Sequence, residues 1–255
     1  MRVTILGTGT SGGVPLIGCT CEVCTSTDPR DKRLRTSAMV EVDGKILVID
    51  AGPDFRYQML RNKVMTIDGL LITHGHRDHI GGLDDIRPFN YLQGKVIDIY
   101  CDEWAEAMIR EQYPYAFKDD TYDYAPKVRF HLVRFEPFLA DGVPVTPIEV
   151  MHHRLPVRGY RIKDFTYITD AKTISDEEKE KIKGSKVLIV NALRAQDHIA
   201  HYTLAEALAL VEEVKPEMTY LTHLSHQFGK HADMEKILPE NVKIAYDGLV
   251  IDIGP

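Results

Sequence analysis

The sequence predicts an α/β protein built of two stacked sheets covered by helices. Three observations carry that expectation. Short apolar runs read as strands in two series, each passing from strands into helix–strand alternation. There is no repeat, low-complexity tract or Pro/Gly/Ser-rich linker, so residues 1–255 read as a single domain. His or Asp stands at a predicted strand end five times: at Asp50, the His74 to His79 loop, His153, Asp170 and His223. Strand ends are where sites in layered α/β proteins gather.

The first series opens on apolar residues 2–6, which end in Gly7-Thr8-Gly9-Thr10-Ser11-Gly12-Gly13. This offers the G-x-G-x-x-G of dinucleotide binding, but that motif must open a helix, and here Val14-Pro15 and a cysteine cluster follow. The glycines therefore read as a tight loop that lets backbone approach the site. The charged segment 28–35 is expected to be exposed. Asp43-Gly44, between Ser37–Val42 and Lys45–Ile49, is a hairpin signal. A helix over residues 53–61 carries Asp54 in an acidic first turn, and Leu70-Leu71-Ile72 is a buried strand. Residues 82–92 read as helix, 96–101 as strand, and 102–113 as helix with Asp102 as N-cap. Residues 113–127 show no period but carry Tyr113, Tyr115, Phe117, Tyr122 and Tyr124. They read as a loop packed by its own rings, with an aromatic lid or partner surface as the alternative.

The second series begins with strands over 128–135 and 143–150, the latter running into Met151-His152-His153-Arg154. Strands over 159–162 and 165–169 follow, then a helix to about residue 183 with Ser175-Asp176-Glu177-Glu178 as capping box. Residues 187–190 form a buried strand ending at Asn191, and Thr203-Leu204-Ala205-Glu206 is a second capping box for a helix to Val214. A strand over 218–221 delivers Thr222-His223-Leu224-Ser225-His226. A helix near 231–238 and strands near 242–246 and 249–253 complete the pattern.

Composition sets limits. The chain is 44% apolar and 27% charged, ordinary for a globular protein. No apolar stretch approaches the ~20 residues of a membrane helix, and Met1 to Gly7 is too short for a signal-peptide core, so a cytoplasmic location is the default expectation. The net charge of −7 argues against a broad nucleic-acid surface. Four cysteines here are not a disulfide framework. Cys19, Cys21 and Cys24 have metal-ligand spacing, and a closed tetrahedral zinc site needs a fourth ligand from elsewhere. Cys101, at the end of an apolar run, reads as a buried small side chain.

The chemistry concentrates in Thr73-His74-Gly75-His76-Arg77-Asp78-His79. Three imidazoles and a carboxylate suit Zn²⁺, Mn²⁺ or Fe²⁺. Gly75 and Gly81-Gly82 put them on the loop leaving the strand. His74 and His76 alternate as in extended chain, whereas the adjacent Asp78 and His79 diverge, a spacing that points to two neighbouring metals.

An H-x-H-x-D-H run after a strand resembles the signature of the metallo-β-lactamase superfamily, which implies its four-layer αββα sandwich. The resemblance implies one metal on His74, His76 and His153, a second on Asp78, His79 and His223, and Asp170 bridging them; His152 is the alternative to His153. Asp50 matches the residue that supports the metal loop from behind. Cys-x-Cys-x-x-Cys after the Gly-rich loop, with Leu221-Thr222-His223-Leu224-Ser225-His226-Gln227-Phe228, resembles the PhnP-like branch of phosphoribosyl 1,2-cyclic phosphate phosphodiesterases. That likeness runs from Gly7 to Asp247-Gly248 and implies a structural zinc on Cys19, Cys21, Cys24 and His226. It implies two active-site divalent ions, Zn²⁺ or Mn²⁺. The implied activity is metal-dependent hydrolysis of a small, cyclic phosphodiester by a hydroxide shared between them, with Asp78 and Asp170 in the catalytic site. A homodimer is compatible with the family.

A leaving alkoxide needs a proton or a hydrogen bond, and His201, expected on an exposed loop before a helix start, is the candidate. Thr203 is accounted for as an N-cap, although His-x-Thr resembles the branch that includes tRNA 3′-processing endonucleases. Arg77, Arg154 and Arg158 suit a substrate phosphate and equally a solvated surface. An RNA-processing nuclease is the nearest alternative, but no Lys/Arg-rich insertion serves it. A thioester or lactam hydrolase gains nothing from His201. A non-catalytic metal-binding or carrier protein, like quinone-biosynthesis relatives, is the alternative of a different class, and the intact ligand set speaks against it.

Overall fold

The structure, a computed structural model, describes residues 1–118 and 124–254. Strand β1 (Arg2–Gly7) is followed by the hairpin β2 (Ser37–Val42) and β3 (Lys45–Ile49). Its turn residues Asp43 and Gly44 both take left-handed φ, 50° and 76°, as a tight primed turn requires. Then come α1 (Phe55–Arg61), β4 (Gly69–Leu71), α2 (Arg77–Ile80), α3 (Arg87–Gln93), β5 (Ile97–Cys101), α4 (Glu103–Gln112) and β6 (Val128–Leu132). The second half holds β7 (Phe138–Ala140), β8 (Val143–His152), β9 (Leu155–Ile162), β10 (Phe165–Tyr167), α5 (Asp176–Ile182) and β11 (Val187–Asn191). It closes with α6 (Leu204–Val214), β12 (Met218–Thr222), α7 (His231–Met234), β13 (Val242–Ile244) and β14 (Val250–Asp252).

The strands form two sheets, ordered β14-β1-β2-β3-β4-β5-β6 and β13-β12-β11-β10-β9-β8-β7. In each, antiparallel strands give way to a parallel run: β3 to β6 in the first sheet and β10 to β13 in the second. Strand β14 returns to pair with β1, and Arg2 and Asp252, opposite one another, form an exposed ion pair. One apolar layer lies between the sheets, including Val3, Leu47, Ile49, Phe165, Tyr167 and Ile189. A second packs the first sheet against α1, α3 and α4, and a third packs the other sheet against α5 and α6. This is the expected αββα sandwich. Among the described residues no helix is long and apolar enough to cross a membrane.

Several elements differ from the sequence pattern. The helix over 82–92 divides into a 3-10 turn, Leu83–Ile86, and α3, and β7 had no signal at all. The motif loop itself winds into α2, a single turn. Asp54 stands at the N-cap of α1 but makes no cap bond; its carboxylate instead accepts the backbone N–H (2.8 Å) and guanidinium (3.2 Å) of Arg35. Thr203 and Glu206 make both halves of a capping box, whereas Ser175 caps alone and Glu178 accepts the Glu149 N–H at 2.8 Å. In the aromatic segment Tyr122 lies outside the described residues. Tyr113 is buried, its hydroxyl donating to the Ile80 carbonyl at 3.1 Å, and Phe117 packs under Arg110 and beside Phe130. Tyr113 and Phe117 thus pack onto the body of the protein, whereas Tyr115 and Tyr124 are exposed.

Candidate metal centre

The centre forms where the strands run out. Asp50, directly after β3, sits at φ 63° with its carboxylate fully buried. It accepts the Thr73 N–H at 2.8 Å, the Thr73 hydroxyl at 2.8 Å and Nδ1 of His79 at 2.7 Å. Asp50 thereby fixes the His79 tautomer and leaves Nε2 facing the centre, the carboxylate–histidine arrangement that orients metal ligands. Two glycines permit this closeness. A Cβ on Gly52 would stand 2.0 Å from the Asp78 carbonyl, and one on Gly75 would meet Ala105 Cα at 3.1 Å and Met108 Cγ at 2.9 Å.

His74 directs Nε2 to 2.8 Å from Nδ1 of His76, its own Nδ1 held by the Thr73 hydroxyl at 3.0 Å. From the second sheet come Asp170 after β10 and His223 after β12, both left-handed at φ 56°. One Asp170 oxygen lies 3.2 Å from His79 Nε2 and the other 3.3 Å from His223 Nε2. Asp78 lies 3.3 Å from His79 Nε2 and 3.8 Å from His223 Nε2. Holding non-glycine residues in this backbone region is costly, and such positions cluster where a site needs side chains aimed.

His153 is corrected to His152. The two-residue tip of the β8–β9 hairpin is His153-Arg154, and His153 is exposed there at φ 57°. His152 continues the alternation of Ile148 and Val150 and pairs with Leu155. Its ring lies 5.3 Å from His76 and 5.9 Å from His74, and its Nδ1 donates to the Ala200 carbonyl at 2.9 Å, so the neutral ring has its lone pair on Nε2. Strand parity, read back from a two-residue turn, is the signal that separates the two.

His201 is buried rather than exposed; its Nδ1 lies 3.7 Å from Asp170 and its ring 4.8 Å from that of His223. Burial, with His223 beside it, pushes it down to about 3, so the ring is neutral near pH 7. Arg158 is corrected: it is buried, pairs with Asp102 at 2.5 Å, and lies 4.6 Å over the Phe135 ring. Asp102 caps α4 through the Ala105 N–H at 2.6 Å, so Arg158 braces that helix. Arg77 and Arg154 are exposed. Sequence reasoning gave no role to Trp104, 5.7 Å edge-on to His76, or to His198, 4.9 Å from His201. A lone Trp just past an N-cap and a second histidine near the start of α6 were the available signals.

The electrostatics oppose one another across the cluster. Burial would lower His79, but Asp78, Asp50 and Asp170 outweigh it and raise it well above its ordinary value. Burial likewise works against Asp170, yet His223, His79 and His74 hold it well below the usual carboxylate range. His74, enclosed and next to His79, is driven well down. Despite their short distances, His79 Nε2, His201 Nδ1 and both His223 nitrogens are buried without a hydrogen-bond partner among the described residues. Such orphaned nitrogens, facing carboxylates in a donor set of imidazoles and Asp, fit divalent cations. Asp78, His79 and His223 converge as one possible cation group, and His74, His79 and Asp170 as another.

A second cluster lies apart. Cys19 and Cys21 each place Sγ 3.3 Å from Nδ1 of His226, and Cys24 completes a four-donor group. His226 lowers the Cys21 thiol to about 6, and burial raises that of Cys24 to about 11. Three sulfurs and one imidazole suit a closed zinc site.

A family profile described as Beta-lactamase superfamily domain matches residues 45–224. A Porphyromonas gingivalis protein named octanoyltransferase is 38% identical over 252 residues, 98% of this chain and 51% of that protein. The chain thus spans about half the length of this relative. Among solved structures, a diphosphatase from the PhnP family is 39% identical, with TM-score 0.92 over 99% of this chain and 98% of that one. Zn(2+)-bound PqqB from Methylobacterium extorquens shares the fold at TM-score 0.82 and 20% identity, over 99% of this chain and 100% of that one.

Proposed function

The chain belongs to the beta-lactamase superfamily and, within it, to the PhnP family, and on that premise we propose that it is a metal-dependent phosphodiesterase acting on a small phosphodiester, cyclic ones such as phosphoribosyl 1,2-cyclic phosphate included. The observation that carries this reading is the set of His and Asp donors at five strand ends, whose orphaned ring nitrogens converge beside His201. His74, His76 and His152 would hold one divalent ion, Asp78, His79 and His223 a second, and Asp170 would serve both; Zn²⁺ and Mn²⁺ each suit these donors. When bound, the pair supplies an activated water and neutralises charge on the phosphoryl group. Cys19, Cys21, Cys24 and His226 would hold a structural zinc.

The chain's own residues do the rest. Asp50 keeps the His79 ring oriented. His201, neutral and buried, has one N–H to offer the leaving oxygen, and an arriving phosphate raises its proton affinity. Phosphoryl transfer depends on such positioning and charge. The diphosphatase among the relatives supports a diphosphate bond as a second reading, which differs only in the leaving group.

The test is a substrate panel with metal-replete protein: ribose 1,2-cyclic phosphate, 2′,3′-cyclic nucleotides, an aryl phosphodiester, a diphosphate diester, a thioester and a precursor tRNA. Phosphodiester turnover that falls about 10²–10⁴-fold in His201→Ala with metals retained supports the reading. Preference for the thioester or the tRNA defeats it.

A further inference from the structure

At the edge of the first sheet, away from the metal centre, part of an apolar face lies open. Helices α1, α3 and α4 pack over much of that sheet's outer side. Beside β14, β1 and β2 there remains a groove of about 380 Å³, lined by Thr4, Met39, Ile46, Val64, Met65 and Val250 among others. Strand register explains its floor. Val250, Thr4 and Met39 stand opposite one another across the three strands, and their neighbours Val3 and Val40 fill the layer between the sheets, so these three face outward. At the rim Met65 is 64% and Val250 50% exposed, which is much apolar surface to leave in water.

The groove runs out onto an open strand edge. Among the described residues β14 has one strand neighbour, β1. Leu249 and Ile253 turn toward it: the Ile5 N–H donates to the Leu249 carbonyl at 2.8 Å, and the Ile253 N–H to that of Met1 at 2.9 Å. By alternation, the backbone N–H and carbonyl groups of Val250 and Asp252 face outward. Proteins usually guard such edges with Pro and charge. The other edge of this sheet, β6, has Pro126, Lys127 and Arg129 at or beside it. On β14 the one charge, Asp252, is held by Arg2 at 2.8 Å. An unguarded edge beside an apolar groove is the form that strand addition by a partner uses.

The longer relative indicates the occupant. The Porphyromonas gingivalis octanoyltransferase matches 98% of this chain with 51% of its own length, so about half of it has no counterpart here. At whichever end that half is joined, it leaves from this edge, because both termini are here: the Met1 amino group donates to the Ile253 carbonyl at 3.2 Å. The edge also lies clear of the metal centre. Strands β1 and β3 run in the same direction; the centre gathers where β3 delivers Asp50, whereas Arg2 and Ile46 stand at the beginnings of these strands. We propose that the groove and the β14 edge dock a domain homologous to the unmatched half of that relative, which adds a strand to β14 and covers Met65 and Val250. Such a domain serves equally in the same chain or as a separate protein. The docking is independent of the metal chemistry and gives this chain a partner beyond its substrate.

The probe is the unmatched half of the P. gingivalis protein, made as its own chain and titrated calorimetrically against this one. Wild type should bind it at micromolar concentrations. Met65→Glu and Val250→Glu should each weaken binding about tenfold or more, with metal content as in wild type. Hydrogen exchange on the intact relative covers the case of a probe that does not fold. There the amides aligned with Val250 and Asp252 should exchange about tenfold or more slowly than in this chain. Failure of a folded probe to bind, binding that both variants leave intact, or equal exchange in the intact relative and in this chain overturns the proposal. So does a second copy on the same edge, seen as a concentration-dependent dimer that Val250→Glu dissolves.

Discussion

Two donor clusters share the segment after β12 and are made in opposite ways. The Cys19, Cys21, Cys24 and His226 group takes three donors from one short loop, and only Cys24 among them is buried. The His/Asp centre draws on five strand ends, and at Asp50, Asp170 and His223 the backbone is held left-handed to aim the side chain inward. The cysteine cluster tolerates solvent and ties one short loop to a single distant residue, His226. The assembled centre buries opposed charges and unpartnered nitrogens that only the whole sandwich could hold together. On this view the first cluster serves stability and the second chemistry, and mutations should separate the two.

The sharpest separation is Asp170→Ala. Turnover should fall about 10³-fold or more, since several kcal/mol of charge stabilisation is lost. Elemental analysis should show loss of active-site metal with the cysteine-bound zinc retained. Conversely, the double variant Cys19→Ser, Cys24→Ser should keep its active-site metals. It should melt on the order of 10 °C lower, because zinc binding at such sites is folding free energy; an unchanged melting temperature would deny the clip a structural role. Asp50→Asn should cost about 10–100-fold in metal affinity, the usual loss when the partner behind a metal histidine is removed. Arg158→Ala should destabilise by about 3 kcal/mol through the orphaned Asp102 with KM unchanged; a raised KM would return Arg158 to the substrate. Smallest of all, His153→Ala should sit within about 0.5 kcal/mol of wild type in stability and keep its metals, while His152→Ala loses them.

The two clusters also differ in how far they could be read in advance. Three cysteines at metal spacing announce themselves, and so does a strand followed by H-x-H-x-D-H. The hairpin at Asp43-Gly44 and the capping box at Thr203 were equally local. What sequence could not resolve depends on facing. His152 and His153 differ by one residue, and only the register of β8 on β9 turns one inward and the other out. Arg158 carries the charge a phosphate wants, but its place in β9 sends it to Asp102. His201 stands before a helix, ordinarily an exposed place, yet the segment from Ala192 to Tyr202 is tied to Ala171, Thr222 and Ser225 and so carried inward. Asp170 and His223 are legible as strand-end residues; their nearness to one another is a product of stacking the two sheets.

The most direct test of the account is hydrolysis of bis(p-nitrophenyl) phosphate by chelated protein, followed with added Zn²⁺ or Mn²⁺, in wild type and in His152→Ala. The account predicts no turnover after chelation, recovery on adding metal in wild type, and no recovery in His152→Ala. Turnover that survives chelation, or a His152→Ala variant that recovers fully, would contradict it.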